Sequence, residues 1–151
     1  MDIYMKLEKM NITLPTPPPK GGLYAPVRVV GNLLFISGVG PTVGATPAFT
    51  GKVGGTITPE HAMEAAQLVA VNILSILHNY LGDLNKIKSV VKILAFVASD
   101  SNFNAQPSII NAASQVFNDL FPEGHARSAI GTNELPNNIP VEIEAIFELH
   151  V

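Results

Sequence analysis

The residues from Pro59 to Leu81 place the tightest limit on what this chain can fold into. Thr58 is suited to cap a helix, Pro59 to its first position, Glu60 to its positive end, and Gly82 to its termination. Between them Ala62, Ala65, Ala66, Val69, Ile73, Ile76, Leu77 and Tyr80 recur at helical spacing. Glu60, Glu64, Gln67, Ser75 and His78 form a narrower polar stripe. A helix with so wide an apolar face must lie on a sheet, and the remaining sequence has to supply one.

Strand patterns occur on both sides of that helix. Val27 to Val30 and Leu33 to Ser37 are apolar runs separated by Gly31-Asn32, a hairpin turn signal. Ser89 to Val97 is a continuous run rich in Val and Ile, which predicts a central strand buried on both faces. A second helix is predicted from Pro107 to Leu120, with Pro122 blocking its continuation. Ala126 to Gly131 reads as an interior strand, and Val141 to Leu149 alternates Val141, Ile143, Ala145, Phe147 and Leu149 inward against Glu142, Glu144 and Glu148 outward. Gly38 to Gly55 is dense in Gly, Pro and Thr and reads as a long loop with one short strand near Phe49 to Val53. Ile3 to Met10 fits a short amphipathic helix ended by Asn11, and Leu14 to Gly22 is a proline-rich extended connector. The segment 1–22 is therefore expected as an appendage on a single domain spanning residues 1–151.

The order hairpin, helix, strand, helix, strand, strand fits a sheet with two helices on one face. Only 14% of the 151 residues are charged and 47% are hydrophobic, so the second face is expected to pack against sister subunits. A net charge of −3 without a Lys/Arg cluster argues against nucleic-acid binding. No apolar run approaches the roughly 20 residues needed to cross a bilayer, and Met1 to Met10 lacks the features of a signal peptide, so a cytoplasmic location is expected.

The chain has no cysteine, and His61 and His78 stand too far apart along one helix to share a metal. The Walker, dinucleotide and serine-elbow motifs are absent as well, and Gly38-Val39-Gly40 is too common a pattern to carry meaning alone. Arg127 is the residue that asks for an explanation. A guanidinium on an interior strand needs an anionic partner, and its planar fork suits a carboxylate. That carboxylate is either Glu142 or Glu144 of the same chain, fastening two strands, or a ligand's. Glu142 is either an ordinary solvent-facing strand residue or, beside Arg127 in an intersubunit cleft, a general base for water.

Ala126-Arg127-Ser128, then Leu135-Pro136, then Val141-Glu142-Ile143-Glu144-Ala145-Ile146 closely resembles the C-terminal signature of the RidA/YjgF family. Gly31-Asn32-Leu33-Leu34-Phe35-Ile36-Ser37-Gly38 with Pro41, the strand Val90 to Val97, and Asn111-Ala112 match in the same order, so the likeness runs from about Tyr24 to the C-terminus. The N-terminal helix and connector resemble a longer-chain subgroup. The resemblance implies an α+β, chorismate-mutase-like fold and a homotrimer with a ligand cleft at each subunit interface. It implies hydrolysis of enamines and imines such as 2-aminoacrylate to 2-keto acids and ammonia, with no cofactor and no metal. It further implies that Arg127 clamps the substrate carboxylate, that Glu142 serves the attacking water, and that Tyr24, Ser37 and Asn111 line the cleft. His125 stands where archetypal members carry proline, Ala129 where many carry cysteine, and the 39–55 loop is long for the family. Two rival readings are a non-catalytic binder of small carboxylates in the same cleft and a ribonuclease or translation inhibitor. The second is disfavoured because neither a basic patch nor a histidine pair for RNA cleavage is present.

Overall fold

In the computed structural model, which describes residues 1–151, strands alternate with helices much as the residue periodicities require. A short helix α1 (Ile3–Lys9) leads through the proline connector to the hairpin β1 (Val27–Val30) and β2 (Leu33–Val39). Two short strands follow, β3 (Thr42–Val43) and β4 (Thr46–Pro47), and then the long helix α2 (Pro59–Leu81). The strand β5 (Ile87–Ala98), helix α3 (Gln106–Leu120), and strands β6 (Ala126–Thr132) and β7 (Val141–Leu149) complete the chain. Thr58 accepts a hydrogen bond from the His61 amide at 3.2 Å, and Gly82 ends α2 at φ +75°, so both ends of this helix are set by the residues that signalled them.

The five-stranded sheet runs β1-β2-β7-β5-β6. Only β5 and β6 are parallel, joined by the crossover helix α3, and the other neighbours are antiparallel. Residues facing α2 and α3 are sealed: Leu34, Ile93, Ala95, Val97, Ile143 and Phe147 have no exposed surface. They belong to one core of 33 buried residues, so the architecture is the expected α+β sheet with both longer helices on one side.

Five expectations need correction. β5 is central but buried on one face only, because no element of the chain covers the other; Val91 is 39% exposed, and Leu94 and Phe96 are half-buried. β6 is an edge strand rather than an interior one. Phe49 to Val53 forms no strand, since Gly51 turns the backbone at φ +116°, and the pairing falls instead to β3 and β4. The N-terminal helix is no loose appendage: Ile3 and Leu7 are buried in the main core, and the Tyr4 hydroxyl accepts from the Leu84 amide at 2.8 Å while meeting His78 Nδ1 at 2.9 Å. Ser75, read as part of a polar stripe, is also buried, and its hydroxyl donates to the Pro15 carbonyl at 2.7 Å. α2 thereby fastens the proline connector.

Candidate functional site

The two faces of the sheet separate the residues singled out in the sequence. Across β7, β5 and β6, one row of partners runs Ala145, Ile93, Arg127 and faces the helices. The adjacent row runs Glu144, Leu94, Ser128, and the next of the same parity runs Glu142, Phe96, Ile130; both lie on the uncovered face. Arg127 and Glu142 therefore project from opposite sides of the sheet. A salt bridge between them within one chain is excluded by the register, and the ion pairs present are Lys52 with Glu134 and Lys88 with Glu148.

On the helix side, the half-buried Arg127 donates from Nη1 to the Ser114 hydroxyl at 3.1 Å. The same hydroxyl lies 3.0 Å from His125 Nε2, and the His125 ring meets Phe117 edge-on. Its Nδ1 is buried without a partner. Desolvation, and secondly the Arg127 charge, hold the His125 pKa below its ordinary value, so the ring is neutral near pH 7 and adds no positive charge beside Arg127. Asn111 sits one turn before Ser114 on α3 and is exposed. Arg127 and Asn111 thus mark a polar edge where α3 meets β6, with the guanidinium free of any carboxylate of its own chain.

On the other side, Tyr24, Ser37, Gly38, Phe96, Glu142 and Glu144 line one depression of the surface. Ser37 is held by its hydroxyl, which donates to the Ala25 carbonyl at 2.7 Å, and the Tyr24 hydroxyl accepts from the Gly21 amide at 2.8 Å. Between Ile36 and Val39 the pairing of β2 with β7 slips by one residue, a bulge that re-aims Ser37 and Gly38 toward Glu142. A Cβ at Gly38 would lie 3.0 Å from the Glu142 carboxyl carbon and 3.2 Å from its Oε1. The bare backbone of Gly38 is what gives the carboxylate its seat. Burial, and secondly the neighbouring Glu144 charge, push the Glu142 pKa up, which favours its use as a proton acceptor.

Sequence reasoning thus selected Tyr24, Ser37 and Glu142, which the fold brings together, and Arg127 and Asn111, which it gathers elsewhere. It passed over Gly38 and Ser114. Glycine inside a strand pattern was the available signal for the first, since it marks a bulge or a close approach. Ser114 carries no such signal, because its partners His125 and Arg127 meet it only through packing of α3 on β6.

Comparison with known proteins identifies the family. The family model described as endoribonuclease L-PSP matches residues 16–149. The chain is 33% identical over 147 residues to protein TCP17 of Trypanosoma cruzi, covering 95% of this chain and 92% of the relative. It is 32% identical over 139 residues to a 2-iminobutanoate/2-iminopropanoate deaminase of Dermatophagoides farinae, covering 91% and 94%. The crystal structure of Atu1372 from Agrobacterium tumefaciens superposes with a TM-score of 0.89 at 40% identity, covering 98% of this chain and 92% of that one. With a family match across nearly the whole chain and the fold in agreement, this protein belongs to the endoribonuclease L-PSP family, also known as RidA/YjgF.

Proposed function

We propose that the chain hydrolyses reactive 2-imino acids to 2-keto acids and ammonia in a cleft completed by a second copy of itself. The observation that carries this reading is the division of labour across the sheet: an arginine without a carboxylate partner at one edge, and a half-buried carboxylate with Tyr24 and Ser37 on the opposite face. Within one chain these groups cannot meet; between two chains they can. The uncovered sheet face supports such an assembly, since Phe35 and Ile130 are 41% and 45% exposed there. A closed homotrimer, as implied by the family resemblance, would repeat the contact three times. The deaminase relative of Dermatophagoides farinae lends the reaction class.

The chemistry asks little of the protein. An imine carbon is already electrophilic, so the site has to orient it and deliver one water. Arg127 of one copy grips the substrate carboxylate through its planar fork. Glu142 of the next takes a proton from water as the water oxygen bonds to C2 and the C=N bond becomes single. The nitrogen gains that proton, which gives a carbinolamine; the proton of the new hydroxyl then passes through Glu142 to the nitrogen as the C–N bond breaks, so that ammonia leaves and the carbonyl of the keto acid forms. This route consumes one water and uses no cofactor.

Freshly generated 2-aminoacrylate is the test substrate. The purified protein is expected to accelerate pyruvate release, and Arg127→Ala to lower kcat/KM at least 100-fold while the oligomer persists. Full activity in that variant would sink the clamp. Binding of pyruvate without hydrolysis of any imine would identify a carboxylate-binding protein instead.

A further inference from the structure

Arg127 makes a single side-chain hydrogen bond, to Ser114. Ser114 lies in the second half of α3 and is 8% exposed. A buried helical serine commonly turns its hydroxyl back to the carbonyl one turn earlier. Here the hydroxyl instead reaches across to the start of β6, with Arg127 Nη1 at 3.1 Å and His125 Nε2 at 3.0 Å. A guanidinium has no acceptor, so Arg127 donates and the Ser114 oxygen accepts. The arrangement that satisfies the hydroxyl as donor as well sends its hydrogen to Nε2, which accepts it only while the ring is neutral with its proton on Nδ1.

That tautomer is costly. Nδ1 is buried and finds no partner in the chain, and an unsatisfied buried polar group destabilises the fold. Packing does not account for it. The ring meets Phe117 edge-on with centroids 6.1 Å apart, and a phenylalanine at position 125 would make that contact with no polar atom to desolvate. What the imidazole alone supplies is the acceptor for Ser114. Burial and the Arg127 charge lower its pKa, so the acceptor is in place near pH 7. The long, rotamer-rich Arg127 side chain is thus oriented from one side by one bond, and the remaining N–H groups of its fork are left for a ligand.

We infer that Ser114 and His125 form a relay that pre-orients the Arg127 guanidinium for a carboxylate: the ring aims the hydroxyl, and the hydroxyl aims the guanidinium. Both are positioning residues that act through Arg127. The inference rests on the proposed reading of Arg127 as the carboxylate clamp. Ordering the fork before the ligand arrives reduces the entropy lost on binding and strengthens the grip.

Calorimetric binding of pyruvate reads the clamp apart from the chemistry. Arg127→Ala in the full-length oligomer is expected to abolish binding. Ser114→Ala and His125→Phe are each expected to raise Kd about 10-fold, the scale of one hydrogen bond to a charged group. The double variant should bind no more weakly than the weaker single one, because both changes cut the same chain. His125→Gln, whose amide oxygen can replace Nε2 as acceptor, is expected to recover most of the loss. In imine hydrolysis the loss should appear in KM with kcat little changed. Thermal midpoint and oligomer size are checked for every variant. A further measurement needs no variant: nitrogen NMR of the His125 ring is expected to show its proton on Nδ1, and a neutral ring with the proton on Nε2 overturns the relay. Unchanged pyruvate affinity in folded Ser114→Ala or His125→Phe, additive losses in the double variant, or no recovery by His125→Gln overturns it as well. Binding that survives Arg127→Ala removes the clamp and the relay together. A loss that His125→Gln recovers, with no imine hydrolysed by the parent protein, leaves the relay standing and overturns the deaminase.

Discussion

A carboxylate that is half-buried beside another carboxylate holds its proton more tightly than a solvated one, and Glu142 is in that position because Gly38 has no side chain. Gly38→Ala places a methyl 3.0 Å from the carboxyl carbon, so the Glu142 carboxyl has to shift by a few tenths of an ångström. The expected result is a fall in kcat of roughly 10-fold or more with little change in stability, on the general scale of a misplaced acid–base group; a comparison of kcat and thermal midpoint checks it. His125 gives a second prediction. Its pKa is lower in the folded protein than the ordinary 6.5, so the unfolded chain binds the extra proton first. The stability contributed by the neutral ring is therefore complete above about pH 6.5 and is lost as pH falls toward the folded-state value. Glu142, with a raised pKa, acts in the opposite sense: its contribution is present below its ordinary 4.5 and lost as pH rises. His125→Phe keeps the ring against Phe117 but cannot take up a proton. The drop in thermal midpoint between about pH 7 and pH 5 should be smaller in this variant than in the parent, and an equal drop would remove His125 as the source.

At the level of elements, the N-terminal helix behaves as part of the core. Ile3 and Leu7 are 6% and 3% exposed, Asp2 caps the helix by accepting from the Tyr4 amide at 2.8 Å, and Lys6 Nζ donates to the Leu120 carbonyl at the end of α3 at 2.7 Å. Leu7→Ala should cost about 2–5 kcal/mol, measured by urea unfolding; a loss below 0.5 kcal/mol, the scale of a surface change, would mark the helix as detachable. The periodicity of Ile3, Leu7 and Met10 announced an apolar stripe, but which surface it covers depended on the positions of α2, α3 and the turn at Leu84, far along the chain. The same limit applied to Ser75. On a helical wheel it falls among polar residues, and only the connector lying over α2 buries it. Strand β6 shows the converse case: its composition suggested an interior strand, yet it lies at the sheet edge because nothing in the chain pairs beyond it.

At the scale of the whole molecule, one sheet face is sealed by helices and the other carries an open row of apolar and acidic groups. Phe35 pairs with Ile146 across the strands, and Ile130 with Phe96, so the exposed apolar residues are spread over the face rather than gathered at one end. Phe35→Glu changes a side chain that already contacts solvent and leaves the core intact. The expected outcome is a folded monomer by light scattering, with helix content unchanged and imine hydrolysis lost because Arg127 and Glu142 no longer meet. A monomeric variant with full activity would show that each chain works alone.

Local chemistry was sufficient to determine the longer helices and strands, the inward and outward alternation of β7, the ends of α2, and the candidates Arg127 and Glu142, because caps, turns and side-chain periods act between residues close in sequence. Tertiary structure alone decided that Arg127 stands at an edge on the helix side while Glu142 stands on the open side, and that Gly38 seats the carboxylate. Those facts follow from strand order and register, which are chosen by packing between segments tens of residues apart, and no local pattern encodes them.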